Sequence, residues 1–222
     1  ALLDTLALKG CIVTIDAIGC QTEIARKILD RGGDYLLAVK DNQKDLADAL
    51  REFFADGEPR GFGSLPVSRF QSLEKAHGRI ETRQAMWVTD LSWLDKKLRE
   101  HWPKLAGLGM IERQREINGA VSTERAYYIG SQGIKSAESF AKAARDHWGI
   151  ENSLHWVLDI TFREDDCRVR KDHAPHNFAA LRKFALALLR KDTQFPKRSL
   201  RSRRKTAERL PDYRASLLGL SS

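Results

Sequence analysis

Residues 147–159 read HWGIENSLHWVLD. On an α-helix His147, Glu151 and His155 recur every fourth residue and share one face with Leu158. Trp148 and Trp156 follow the two histidines. Three chemistries suit these residue types. As zinc ligands, the histidines and glutamate offer the right donors, but eight residues of helix span about 12 Å, too far for both imidazoles to hold one ion. As ordinary amphipathic packing, Glu151 is simply a solvated acid. As part of a site for phosphodiester chemistry, Glu151 would bind a hard divalent ion such as Mg²⁺, which prefers carboxylates. Two such ions about 3.5–4 Å apart activate an attacking oxygen and stabilise a leaving one. That third chemistry requires another acid from a distant part of the chain.

The acid that fits is Asp16. It follows the apolar, β-branched run CIVTI within CIVTIDAIG (11–19), which the pattern reads as a buried strand. A helix follows over TEIARKILDRGG (22–33), stopped by Gly32 and Gly33, then a second buried strand over 34–40 and a second amphipathic helix over 43–54. Strand, helix, strand with short joints predicts two parallel strands linked by a right-handed crossover. Chemistry in such sheets gathers beyond the carboxyl ends of the strands, where Asp16 and the Lys40–Gln43 turn would both lie. The alternative is that Asp16 only closes a turn before Gly19, and that Lys40, Asn42 and Gln43 are turn residues and a helix cap.

Beyond Ala55 the pattern changes. DGEPRGFGSLP (56–66) is a Gly/Pro loop, 67–89 reads as two strands around His77–Gly78, 90–102 as a short helix, and 108–131 as a hairpin turning at Asn118–Gly119. Residues 56–133 therefore form a mostly β insertion into an α/β chain. Helical spacing returns over 136–158, with Phe140, Ala144, Trp148 and Leu154 as its core stripe. Residues 159–175 read as polar and loop-like, and 175–191 as another amphipathic helix.

Charge and composition limit the partners. The chain has 222 residues, 42% of them hydrophobic, and a net charge of +8. No apolar run reaches the roughly 18 residues of a membrane span, so no membrane partner is expected. Cys11, Cys20 and Cys167 form no CxxC pair, which fits reduced thiols in a cytosol. Between Arg190 and Arg214 ten Lys/Arg face three acids. Such a run binds polyanions without reading sequence, or else is a solvated helix or frayed tail.

Three stretches together, LKGCIVTIDAIGCQTEIARKILDRGGDYLLAVKDNQ, HGRIETR and HWGIENSLHWVLDITFREDDCRVRKDHAPHNFAALRKFALALLR, resemble the insertion-sequence transposases of the H-repeat-associated group over about residues 1–190. These are DDE transposases. The resemblance implies an α/β, ribonuclease H-like core, with Asp16 as the second catalytic acid and Glu151 as the third. Both would bind Mg²⁺ or Mn²⁺. The broader group carries the pattern Y-x2-R-x3-E-x6-K; here Ala144, His147 and Leu158 stand at the tyrosine, arginine and lysine places, so His147 and His155 are expected to take over part of the contacts to DNA ends. Lys40, Gln43, His77, Arg79, Trp148 and Asn152 complete the contacts expected near the acids. Arg198, Arg201, Arg203, Arg204 and Lys205 are expected to grip the backbone of double-stranded DNA at transposon ends and target.

The implied division is 1–55 as part of the core, 56–133 as the β insertion, 134–191 as core-completing helices and 192–222 as a basic tail. In the group the first catalytic Asp lies on an earlier strand. The chain begins just before the Asp16 strand, so the expectation is the C-terminal part of a transposase, unable to transpose alone. Its first strand would then have an unpaired edge, favouring a homodimer. Other readings are an inactive DNA-binding remnant and a ribonuclease H-fold nuclease without strand transfer; Asp159, Asp165 and Asp166 are substitute acids. The setting implied is the bacterial cytoplasm, on the nucleoid when bound to DNA.

Overall fold

The computed structural model describes residues 2–76 and 79–220, with only the backbone of Leu2, Ala76, Arg79, Glu151 and Asn152. The chain divides into two compact units, 1–147 and 148–222.

The first unit is built on a mixed six-stranded sheet flanked by helices. Its strands are β1 (Ile12–Ile15), β2 (Asp34–Val39), β3 (Val67–Ala76), β4 (Arg79–Val88), β5 (Gly107–Ile117) and β6 (Ala120–Gly130), in the spatial order β1-β2-β6-β5-β4-β3. Its helices are α1 (Leu2–Thr5), α2 (Thr22–Asp30), α3 (Lys44–Gly57), α4 (Lys96–His101) and α5 (Ala137–Ile150), the last running past the unit's end at His147. β1 and β2 pair in parallel, Ile12 opposite Asp34 and Ile15 opposite Leu37, and every other pairing is antiparallel. The hairpins of 56–133 thus continue the sheet that carries Asp16, joining it where β6 pairs with β2.

β2 explains why its sequence is apolar throughout. Tyr35, Leu37 and Val39 enter one core cluster with Ala25, Ile28, Leu46, Leu50 and Phe54 from α2 and α3. Leu36 and Ala38 point to the opposite face and meet Ala137, Phe140 and Ala144 of α5. Alternate residues serve opposite faces, and each fully buried leucine contributes about 1.5–3 kcal/mol. The second face is fixed by Trp87: a Cβ on Gly107 would lie 2.4 Å from its indole and one on Gly109 2.8 Å. Glycine here makes room for the largest buried side chain. The β5–β6 hairpin turns at Asn118 (φ 52°) and Gly119 (φ 81°), the positive pair that a two-residue I′ turn demands. β1 lies at one edge, pairing only with β2 among the described residues.

Two helical expectations need correction. Residues 90–94 are not helical; α4 starts only after Asp95, whose carboxylate caps it by accepting from Lys97 N and Leu98 N. The helix expected over 136–158 is also interrupted: α5 ends at Ile150, Glu151–His155 form a π-helical turn, and α6 (Trp156–Phe162) follows. A π-turn holds more residues than an α-turn, so the every-fourth-residue face does not run unbroken to His155. Phe140 and Ala144 are buried as the stripe predicts, but Trp148 is 47% exposed.

In the second unit α6 extends into the segment read as loop, stopping where Arg163 adopts a left-handed φ of 52° and donates to Asp159 O. Then come α7 (Ala174–Lys191), α8 (Leu200–Arg209) and α9 (Pro211–Leu217). Among the described residues, Leu158, Thr161, Leu186, Leu189, Arg203 and Tyr213 are buried along these helices. Among the described residues no helix is long and apolar enough to cross a membrane.

Candidate functional site

β1 delivers Asp16 to its carboxyl end. The backbone stays extended there (φ −68°, ψ 169°), and Asp16 Oδ1 accepts from Ala17 N at 2.7 Å, capping a 3-10 turn over Ala17–Gly19. Lys40, the residue after β2, brings its ammonium to 3.5 Å from the same oxygen. The Ala17 N–H, foremost, holds the Asp16 carboxyl below its ordinary range; partial burial opposes this, and the charges of Lys40 and His147 add to it. The carboxylate is therefore ionised at neutral pH and 57% exposed. As a hard oxygen donor in that state it suits Mg²⁺ or Mn²⁺.

The turn after β2 reaches across to the turn after β1. Asn42 Nδ2 donates to Ala17 O at 2.7 Å and Gln43 Nε2 donates to Cys20 O at 2.9 Å. The sequence places Gln43 at DNA or at a helix cap. It makes no side-chain cap bond to α3, and its amide is engaged in bracing the neighbouring turn. Asn42, which by sequence is only a turn residue, belongs to the same brace. From α5, His147 Nδ1 lies 3.1 Å from Thr14 Oγ1, two residues before Asp16. The structure thus places His147 and the Lys40–Gln43 turn at the end of β1 with Asp16, and adds Thr14 and the bond from Asn42 to Ala17 O.

Other expected residues are distributed differently. His77 lies outside the described residues, as do the side chains of Arg79, Glu151 and Asn152. Glu151 opens the π-helical turn, and the exposed His155 closes it. Glu81, in the described part of the HGRIETR stretch, is 3% exposed and paired with Arg83 and with Arg115 at 3.2 Å, so that stretch contributes a buried ion pair to the sheet. Among the substitute acids, Asp159 is held above the ordinary carboxylate range, by desolvation foremost and by Asp165 and Glu164. Asp166 pairs with Arg163 at 2.7 Å. Among the described residues no three His, Cys, Asp or Glu side chains converge as a metal site; the Glu151 carboxylate falls outside that statement.

The basic run is helical, and its five expected DNA contacts are not equivalent. Arg201 and Lys205 are exposed on α8, and Arg204 is half-buried. Arg198 lies 4.0 Å over the Phe195 ring and donates to Thr206 Oγ1. Arg203 corrects the expectation: it points inward, donating to Arg198 O at 3.0 Å, Leu189 O at 2.9 Å and Pro196 O at 2.9 Å. Its Nε also lies 3.7 Å from Asp192 Oδ2. These carbonyls end α7 and shape the link to α8, so this guanidinium acts as a helix C-cap. Tyr213 Oη donates to the same Asp192 carboxylate at 2.8 Å.

Comparison with known proteins gives a consistent result. A family model described as "Transposase DDE domain" matches residues 1–188. The protein named "H repeat-associated putative transposase YhhI" and the one named "Putative protein YbfL", both of Escherichia coli (strain K12), are each 38% identical over 98% of this chain and 57% of their own length. "Putative transposase YncI" of Escherichia coli O157:H7 is 40% identical over 85% of this chain and 48% of its own. The chain thus spans about half the length of these curated relatives. No solved structure matches it.

Proposed function

Because the chain belongs to the transposase DDE-domain family, we propose that it serves metal-dependent DNA cleavage and strand transfer at insertion-sequence ends, on a ribonuclease H-like core. In this reading Asp16 and Glu151 are two of the acids that would hold Mg²⁺ or Mn²⁺. The observation that carries the reading is the ionised Asp16 at the carboxyl end of β1, with Lys40 and His147 gathered beside it. The parallel β1–α2–β2 unit, with β2 covered on both faces, supports the core assignment.

Bound between such carboxylates, a divalent ion supplies activation of the attacking oxygen and stabilisation of the leaving one. The chain's own residues do the rest. The Ala17 N–H and the Lys40 ammonium keep Asp16 unprotonated and fix one of its oxygens. Lys40 offers a cation to a phosphate beside the acid. Arg201, Arg204 and Lys205 of α8 supply sequence-independent affinity for the DNA backbone, whereas Arg203 is turned inward and the Gln43 amide braces the neighbouring turn.

The test is incubation of the purified chain with DNA bearing the terminal repeats that flank its coding sequence, in Mg²⁺ or Mn²⁺. End-specific nicks that vanish in Asp16→Ala and in Glu151→Ala support the residue assignment and overturn the expectation that this chain cannot act alone. End-specific nicks that survive either change contradict the residue assignment, and DNA binding without any metal-dependent cleavage leaves a DNA-binding function alone.

A further inference from the structure

Ile18 is 85% exposed, more than any other large hydrophobic side chain described. Single exposed apolar residues are ordinary on protein surfaces; this one differs in how it is held. Ala17, Gly19 and Cys20 around it are all buried, so the turn is seated on the sheet with only Ile18 outward. Backbone bonds close the turn from within: Gly19 N to Asp16 O, Cys20 N to Ala17 O and Gln21 N to Gly19 O, each 2.9 Å. Side-chain amides close it from outside: Gln21 Nε2 donates to Ile18 O, Asn42 Nδ2 to Ala17 O and Gln43 Nε2 to Cys20 O. Gly19 completes the fit, since a Cβ there would meet Ile15 Cγ2 at 2.3 Å. The backbone of the turn is therefore held with the isoleucine directed outward. Beside it stand the Asp16 carboxylate and the Lys40 ammonium, 3.5 Å apart.

We propose that this turn is a preformed DNA wedge: Ile18 contacts bases unstacked next to a phosphate held by Lys40 beside Asp16, and Asn42 and Gln43 are the positioning residues that keep it projecting. The proposal rests on the DNA reading above and deepens it. Apolar side chains inserted at a base step gain when the bases are already parted and lose when they must first be unstacked. Because the backbone that carries it is already braced, insertion orders only the isoleucine side chain, the saving a preorganised contact gives. It also reads no sequence, in keeping with contacts made through base faces rather than base edges.

The experiment compares binding of the full chain to one duplex in two forms, fully paired and with a central two-base bubble, in Ca²⁺ to prevent cleavage. The wild type should prefer the bubble by about tenfold, the worth of roughly half an isoleucine side chain leaving water. Ile18→Ala should bind the paired duplex as the wild type does and lose the preference, whereas Ile18→Met should keep it. Asn42→Ala, with the isoleucine intact, should lose part of it. Arg201→Ala/Lys205→Ala should weaken both duplexes equally. A preference unchanged in Ile18→Ala, or absent from the wild type, overturns the wedge while leaving DNA binding in place. Failure of the wild type to bind either duplex overturns the DNA reading and the wedge together. Loss of a chain–chain association in Ile18→Ala, with DNA binding unaltered, would assign the residue to a protein interface and overturn it too.

Discussion

Arg203→Ala should destabilise the helices after Lys191 far more than Arg201→Ala, although the two changes remove the same charge from the same helix. Arg203 makes three bonds of 2.9–3.0 Å to the carbonyls of Leu189, Pro196 and Arg198. At about 0.5–1.5 kcal/mol net apiece these account for roughly 1.5–4.5 kcal/mol. Its side chain is 11% exposed and that of Asp192 is 2% exposed, so truncation also strips a neighbour from a buried carboxylate. Breaking a buried pair costs about 3–5 kcal/mol; the 3.7 Å separation and the remaining donors of Tyr213, Gln194 and Phe195 argue for the lower end. The expected loss is therefore about 3 kcal/mol, against about 0.5 kcal/mol or less for exposed Arg201. Lysine at 203 should not rescue it, because an ammonium cannot span three carbonyls as the planar guanidinium does. Urea unfolding of the full chain gives the magnitude, and hydrogen exchange of the amides in α8 and α9 locates it. Arg203→Ala and Arg201→Ala agreeing within about 1 kcal/mol, the typical effect of one hydrogen bond, would refute the structural role of Arg203.

Other expectations follow from the same residues. Replacing Arg201, Arg204 and Lys205 with alanine should reduce the salt dependence of DNA affinity by about 0.9 for each phosphate no longer neutralised, and Arg203→Ala should leave that slope nearly unchanged as long as α8 stays folded; an unaltered slope in the triple variant would remove the helix from the DNA surface. Asp16 is held below its ordinary value of 3.8, by Ala17 N–H foremost. Burial would raise Asp192, but Tyr213, the Gln194 and Phe195 amides and Arg203 outweigh it and lower it too. A depressed folded value means their stabilisation is complete above the unfolded value near 3.9 and is lost as pH falls through the folded value, so unfolding midpoints should be flat from pH 7 to about pH 5 and fall below about pH 4. Tyr213 has the opposite sign: burial foremost, then Asp192, push its hydroxyl up to about 12. Its contribution should be complete below the ordinary value of 10.0 and be lost as pH rises from there to about 12; unfolding midpoints against Tyr213→Phe read the loss, and ultraviolet titration locates the ionisation.

What was legible in the sequence was whatever repeats along the chain. β2 reads as a strand covered on both faces because alternate residues from Tyr35 to Val39 are apolar in both registers. Asn118–Gly119 names its turn, since few other pairs tolerate two positive φ angles. Asp16 stands out as an acid ending an apolar run. The brace from Asn42 and Gln43 was not legible, because its acceptors are backbone carbonyls more than twenty residues away that any sequence would supply. Arg203 is indistinguishable in a basic run from Arg201 or Arg204; its burial depends on Asp192 and Tyr213, which come close only once α8 and α9 fold back. The π-turn at Glu151–His155 leaves no periodic mark either, as one extra residue per turn resembles a lapse in an amphipathic pattern.

The central claim, that Asp16 and Glu151 hold the same divalent ion, is tested most directly by iron-directed cleavage. Fe²⁺ substituting for Mg²⁺ in the full chain, with ascorbate and peroxide, cuts the backbone beside its ligands. The account predicts two cut sites, next to Asp16 and next to Glu151. Both should be suppressed by excess Mg²⁺, and both should vanish together in either Asp16→Asn or Glu151→Gln. Cuts confined to the acidic stretch around Asp159, Asp165 and Asp166, or cuts at residue 16 that persist in Glu151→Gln, would contradict it.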